Sequence, residues 1–509
     1  MTNNLIKIRE EKLEKIRLEG DAYPNDFKPS IRSSDVINLY ESKTREELDS
    51  LSFNLSVCGR IITQRIMGGV IFITIRDNGT LMQIYLNKKE VGEDLFNIVK
   101  HWDIGDIIGV SGTLFRTKTN ELTVRSKNLR LLTKSLLPPA EKFHGITDID
   151  EKYRRRYASL ISNPDDRKIF ETRNKAIRYL RDFFHNRDYF EFETPILQSI
   201  PGGAAARPFV TECNSLNCDF YLRIAQELYI KRLLVGGFDN VFEINKNFRN
   251  EGVSHRHNPE FTMLEFNSAY KNYHDFMNLT EELLTGIVFD LTGGYVLNYQ
   301  GNDISFERPF ERLSPKDAIL KYCPSYTNEN LCDKSFMVNE LKKILMSKEN
   351  LPYGDSSNVE LKINNMSIHE LQFSLFEETT EHLLIQPTFI IDYPASLSPL
   401  SKVNPNDSNL AERFEMFVAG MELVNGFSEL NDPQLQSDIF KQQAANKNAG
   451  DQEAMYYDED YINALMLGLP PNAGGGVGVD RLIMLLTDSA SIRDVILFPQ
   501  LKQGNSENA

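Results

Sequence analysis

Arg249, Glu251, Gly252, His255, Arg256 and His257 fall within nine positions of one another, and each can serve phosphate or carboxylate chemistry. On either side the chain alternates as a strand does, at Asn240-Val241-Phe242-Glu243-Ile244 before the cluster and Phe261-Thr262-Met263-Leu264-Glu265-Phe266 after it. The spacing therefore predicts a hairpin with a charged loop. Such a hairpin can lay a triphosphate along its inner face, with Arg249 forked onto a phosphate or carboxylate and Arg256 available further along. A solvated hairpin loop of mixed charge carries the same residue types, and residue types alone do not separate the two readings.

The order of residues says more. Phe248-Arg249-Asn250-Glu251 followed by His257-Asn258-Pro259-Glu260-Phe261 resembles motif two of the class II aminoacyl-tRNA synthetases, and in this wording the lysyl-tRNA synthetases of bacterial type, class IIb. Further matches lie at Pro201 to Phe209 (PGGAAARPF), at Asn425 to Asn431 (NGFSELN) and at Gly478-Val479-Asp480-Arg481. The resemblance runs from the first helix to about Pro499, with residues 320 to 365 its least distinctive part. It implies ATP-dependent ligation of lysine to tRNA(Lys) through a lysyl-adenylate, with magnesium as cofactor.

Carried over residue by residue, the resemblance implies Arg249 and Arg481 as catalytic groups. Glu251, His257, Asn258 and Phe261 join them around ATP, the Phe261 ring stacking on adenine. It implies Glu227 and the backbone of Gly203 at the α-ammonium, Asn425 near the carboxylate, and Glu265, Asn267, Phe427 and Glu429 in the same amino-acid pocket. Glu415 and Glu422 become magnesium ligands. Two positions depart from the family: Gln226 stands where Pro is usual, and Asn267 where a Tyr usually reaches toward the ε-ammonium.

The chemistry fits these residue types. Joining a carboxylate to ATP needs neutralised phosphates, a held carboxylate and a shielded pyrophosphate, so catalysis is mostly positioning and electrostatics. Magnesium prefers hard oxygen ligands, carboxylates with phosphates. Glu415 and Glu422 are seven apart and fall on opposite faces of one regular strand, so a bulge or two separate approaches must bring them together; alone, such a pair also suits a solvated surface. Three acids around one amino acid favour a cationic side chain, since a neutral substrate leaves buried carboxylates unpaired.

The elements that position these residues follow from the rest of the chain. Its 509 residues, 41% hydrophobic and 25% charged, suit a soluble globular protein of two to four domains. Residues 5 to 19 form a charged amphipathic helix, a solvated face or an accessory grip on nucleic-acid backbone. Strands expected at 55–66, 70–76, 81–86, 107–116 and 121–131, with a helix at 91–100, are in the order of an OB barrel, which binds oligonucleotides on its strand face. Residues 55 to 134 carry a local +5 while the whole chain carries −15, which points the barrel toward phosphate. Within it Phe72 can stack on a base, Gln83 and Glu121 can read base edges, and Arg65 can hold backbone or base. Each is also an ordinary strand residue; the resemblance implies anticodon contact at all four.

Beyond the barrel, short strands (190–197, 208–211, 220–225, 241–245, 261–267, 416–424) among helices suggest an α+β domain of the class II kind, its antiparallel sheet flanked by helices. The run Gly474-Gly475-Gly476-Val477-Gly478 lacks the strand and helix context of a dinucleotide fingerprint and is read as backbone approaching a ligand. The expected domains are a helical extension (1–50), the barrel (51–140), a linker (141–160), a catalytic domain (161–500) with a helical insertion at about 315–384, and a disordered tail (501–509). The helix expected from Asn163 to about Asn186, which resembles motif one, builds either a homodimer interface or an internal core. No run of about eighteen apolar residues or signal peptide is present, and the five cysteines form no ligand cluster or C-x-x-C pair, so no membrane span and a reduced, cytoplasmic setting are expected. Rival readings are a pure RNA-binding module, which has no need of Arg249, Glu415, Glu422 and Arg481 together, and a paralogue that lysylates another acceptor or activates another cationic amino acid.

Overall fold

The computed structural model describes residues 2–51, 53–139, 146, 148–348 and 356–502; most of the expected tail at 501–509 lies outside them. The chain divides into two compact units, Met1–Arg167 and Lys168–Ala509.

In the first unit five strands close into a barrel: Leu55–Met67, Val70–Asp77, Thr80–Asn87, Leu122–Thr133 and Ile107–Arg116, in that spatial order. All neighbours are antiparallel except Thr80–Asn87 against Leu122–Thr133, where Gln83 pairs with Thr123. Closure follows from strict alternation: Val57, Ile71, Ile73, Ile75, Ile84, Val110 and Val124 are buried inside, which frees the other face for polar and aromatic residues. Asn78 and Gly79, both at positive φ, turn the second hairpin as an Asn-Gly pair should. The helix Thr2–Glu19 is held by cations as much as by its apolar stripe. Leu13 is buried and Leu5 and Ile8 are exposed, while Arg9 donates to the Ser135 and Ile104 carbonyls and Lys12 reaches Asp103 at 2.7 Å. The expected linker at 141–160 contains the helix Ile149–Arg154 and part of Arg156–Ser162.

The second unit is built on one large sheet. Its order runs Glu311–Leu313, Thr388–Pro394, Asp407–Val418, Met421–Ser428, Asn472–Gly478, Glu260–Ala269, Asn240–Phe248 and Phe190–Glu191, with Val403–Asn404 paired to Asp407–Val418. Only the two outermost pairings are parallel. Helices Tyr273–Thr292 and Val479–Leu486 pack on the sheet around Phe184, Phe242, Phe266, Phe276, Leu264 and Ile483. In the helix Pro164–His185 the apolar face read from the sequence, Ala176, Leu180, Phe183 and Phe184, lies in this same core.

Three expectations change. The stretch 190–197 is two strand fragments, Phe190–Glu191 and Leu197–Gln198, in different sheets. The strand expected at 416–424 is the middle of a hairpin that turns at Ala419-Gly420, both at positive φ. The glycine run is itself a strand near the middle of the sheet; Gly474, Gly475 and Gly476 line a cavity, as backbone open to a ligand should, and the run also lets neighbouring side chains close in. A Cβ on Gly475 would lie 3.0 Å from the Phe266 ring, and one on Gly474 2.2 Å from the Glu429 carboxylate. Of the expected insertion, residues 315–348 and 356–384 form a helical layer with its own core of Ile319, Leu341, Leu371 and Phe376; the stretch between them lies outside the described residues. Among the described residues no helix is long and apolar enough to cross a membrane.

Candidate active site

The charged cluster sits where the sequence reading put it, in the loop between Asn240–Phe248 and Glu260–Ala269. These strands pair in unbroken register from Phe248 opposite Glu260 to Asn240 opposite Ser268. The Arg249 amide donates to the Pro259 carbonyl at 2.9 Å and closes the loop base. Its guanidinium lies 5.2 Å from the Phe261 ring centroid, and its buried Nε has no hydrogen-bond partner among the described residues. An unsatisfied guanidinium N–H beside Glu422, Glu251 and Glu265 is a donor reserved for an anion.

Two cavities share Arg249, Met263, Glu422, Asn425 and Gly476. The smaller, about 260 Å³, is lined also by Glu251, Arg256, His257, Asn258, Phe261 and Arg481. Ser254 Oγ and His257 Nδ1 are 2.8 Å apart, and His257 Nε2 is 3.3 Å from Arg481. Burial and that guanidinium lower the His257 pKa, so the ring is neutral near pH 7. Arg481 donates to the Glu422 carbonyl at 2.5 Å, and Arg256 to the Gly420 carbonyl at 2.5 Å. The neighbouring Asp480 accepts from Arg173 at 2.6 Å and from the Thr262 amide at 2.7 Å, which ties the Val479–Leu486 helix to the loop strand.

The larger cavity, about 330 Å³, collects Gly203, Glu227, Glu265, Asn267, Glu415, Asn425, Phe427 and Glu429. Gly203, at φ +88°, packs where a Cβ would stand 3.1 Å from that of Glu227, so the backbone is close because no side chain intervenes. Burial, with Glu227 next in effect, lifts the Glu265 carboxyl to about 8. Its hydrogen-bond donors are weak: the Gln226 amide at 3.4 Å and Asn247 at 3.5 Å. The first of these exists only because Gln226 has an amide hydrogen that Pro lacks. Asn267 donates to Glu429 at 2.9 Å.

Glu415 and Glu422 come together by two approaches, one from each strand of the hairpin. Phe417 opposes Glu422, so Glu422 shares the face of Glu415, two residues before Phe417. A register shift then opposes Met416 to Val424 and Glu415 to Asn425, which returns Asn425 to that face three residues after Glu422. Burial, with Glu422 next, lifts Glu415 to about 7. Two residues the sequence reading did not single out brace it: Tyr393 donates to Glu415 at 2.9 Å and Arg413 at 2.5 Å. Among the described residues no group of three or more His, Cys, Asp or Glu side chains that could hold a metal forms, and a divalent ion takes more oxygens than two carboxylates supply.

On the barrel, Arg65, Gln83 and Glu121 line one cavity of about 1180 Å³. Phe72 stands on the same outer face, opposite Arg65 on one side and Tyr85 on the other. Gln83 donates to Glu121 at 2.6 Å and accepts from Thr123 at 3.1 Å. Tyr85 and Phe115, missed in the sequence, extend the aromatic row: centroids lie 5.4 Å apart from Phe72 to Tyr85 and 5.3 Å from Tyr85 to Phe115, with Arg125 over Phe115. Their outward register was readable from the alternation. Much of the local positive charge is structural, since Arg60, Arg76 and Arg116 donate to carbonyls and Lys134 is buried between Asp103 and Asp106.

A closed OB barrel followed by a mostly antiparallel sheet with an arginine-bearing hairpin loop defines a class II synthetase. Residues 148–502 match the family described as tRNA synthetases class II (D, K and N), and residues 55–132 match the OB-fold nucleic acid binding domain. The chain is 50% identical to the lysine–tRNA ligase of Nitrosomonas europaea over 98% of its own length and 97% of that protein's, and 49% identical to that of Paraburkholderia xenovorans over 98% and 96%. It belongs to the class II tRNA synthetases and, within them, to the lysine–tRNA ligases.

If Phe72 stacks on an unpaired base, Phe72→Ala weakens tRNA charging by roughly 1–3 kcal/mol and leaves amino-acid activation without tRNA unchanged. An equal loss in both assays makes Phe72 a structural residue.

Proposed function

We propose that this chain activates lysine with ATP to lysyl-adenylate and transfers it to tRNA(Lys). The observation that carries the reading is one cavity with three acids at one end and the unsatisfied Arg249 shared with the neighbouring cavity. A diamino acid lies in it with its ammonium groups among Glu227, Glu265 and Glu429 and its carboxylate toward Arg249, near Asn425. ATP occupies the smaller cavity, its α-phosphate against Arg249, with Phe261 beneath the base and Arg481, His257, Asn258 and Glu251 around the phosphates and ribose. The bond made joins a carboxylate oxygen to the α-phosphorus; the bond broken releases pyrophosphate. Arg249 spans both charges as they shift, which is electrostatic stabilisation more than acid-base work. Glu415 and Glu422 hold magnesium, whose role is to shield the phosphates. Their mutual repulsion and incomplete donor set suit a cation that phosphate oxygens help to bind. Arg65, Phe72, Gln83 and Glu121 contact the anticodon. Relatives named lysine–tRNA ligase along almost the whole chain do not favour the paralogue reading.

The apolar face of the Pro164–His185 helix lies in its own core, so a contact between this helix and a second copy would use its other residues. The homodimer we propose instead uses the neighbouring exposed apolar residues Phe190, Ile196, Leu197 and Val210.

Three outcomes follow. In lysine-dependent exchange of pyrophosphate into ATP, Arg249→Ala loses at least ~100-fold, about 2.7 kcal/mol of transition-state stabilisation, and Glu422→Gln needs more magnesium to reach its maximal rate. Near-normal exchange in both variants removes the assignments. Asn267→Tyr tightens lysine binding and cuts activity with bulkier cationic analogues, because it narrows the pocket and adds a hydroxyl near Glu429; if it abolishes activity, or the unaltered protein prefers another amino acid, the lysine assignment falls. In sedimentation, Leu197→Asp shifts a dimer toward the monomer; an unaltered protein that sediments as a monomer refutes the dimer.

A further inference from the structure

Lys231 is fully buried on the helix Glu227–Val235. Its ammonium lies 2.5 Å from Glu227 Oε1, one turn back, and 2.5 Å from Glu429 Oε2 at the far end of the sheet hairpin's second strand. The Phe427 ring is 5.2 Å away. Both carboxylates line the amino-acid cavity, and Lys231 does not. The Lys231 ammonium is the partner of Glu429 Oε2, while Glu429 Oε1 accepts from Asn267 at 2.9 Å. We infer that Lys231 is a positioning residue for amino-acid recognition, a fixed internal ammonium that holds the Glu227 and Glu429 carboxylates in place at the cavity and offsets one of their two charges, leaving the other to be met by the amino acid.

The inference rests on the reading of the site given above and goes further by a count of charge. Three acids face the cavity end and one buried cation stands behind them; with all three ionised, the formal balance of two negative charges matches the two ammonium groups of a bound diamino acid. Without Lys231 the balance is three, and burial forces a carboxyl to take a proton. Around the pair, Tyr461 is a buried phenol whose pKa burial raises, so it stays neutral. Asn267 is uncharged, and Arg223 is committed to Glu243 at 2.8 Å. Lys231 itself is held charged by Glu227 and Glu429, against the effect of burial. Burial also raises the Glu429 carboxyl, and Lys231 is the largest influence that lowers it again, so the proton of the pair sits on the amine; Glu265 forms no such ion pair among the described residues.

The test is lysine-dependent pyrophosphate exchange from pH 6 to 8 with the full chain and with Lys231→Met, Lys231→Gln and Lys231→Arg. The Met and Gln variants raise KM for lysine by at least ~10-fold at pH 7 and leave KM for ATP within about twofold. Their deficit narrows as pH rises, because carboxyls without the ammonium ionise only at higher pH. Lys231→Arg keeps the unaltered pH profile. An unshifted profile in the Met and Gln variants, a loss shared equally by kcat and both KM values, or a shift in Lys231→Arg as large as in Lys231→Met overturns the inference. If thermal melts show the neutral variants unfolded, Lys231→Arg decides: a shifted pH profile or a KM for lysine raised by ~10-fold in that folded variant overturns the inference. An unaltered protein with no lysine-dependent exchange at all removes the reading of the site instead.

Discussion

Negative charge taken out of water is the constraint on which the second unit turns. A buried carboxylate must find a cation, a set of donors or a proton. Some have found cations: Glu243 has Arg223 at 2.8 Å, with Thr194 donating at 2.6 Å, and Asp480, on the wall of the smaller cavity, has Arg173. Two others at the cavities are undersupplied. Glu265 has only distant donors, and Glu415 has Arg413 but faces Glu422. The unmet demand lies where lysine and magnesium are proposed to bind, so the same term that costs stability in the free protein is the driving force for recognition.

The glycine strand lets those acids stand so close together. Its backbone completes the sheet between the loop hairpin and the acid-bearing hairpin without adding side chains. The volume goes to Phe266 below, and to Glu429 and Asn267 at the cavity. The barrel uses the opposite device: its interior is filled by β-branched and aliphatic residues, and its outer face carries the aromatic row and the polar cavity.

Much of this was legible because it is local. Alternation and an Asn-Gly turn mark the barrel strands, and the residue order around Arg249 marks the loop. The glycine strand was not legible as a strand, because periodicity is carried by side chains and it has almost none. Nor was Lys231: in sequence it is the partner of Glu227 one turn away, as on any solvated helix, and the acid that buries it lies in a distant strand. Its apolar neighbours Leu228, Ile230 and Leu234 were the available signal. The Pro164–His185 helix shows the reverse limit, an apolar face that periodicity finds but whose partner only the fold decides.

Leu423 is the residue that the register shift between Met416 and Phe417 leaves unopposed. It and Val424 both enter the core, where strict alternation would admit only one. The irregularity thus acts as a phase shifter, letting Glu422 on one side and Asn425, Phe427 and Glu429 on the other address a single face. Deleting Leu423 would leave Glu422 two residues before Asn425, on the same face by plain alternation, so what the extra residue adds is a second apolar side chain for the core. The cost of losing it would fall on packing and not on the placement of the acids.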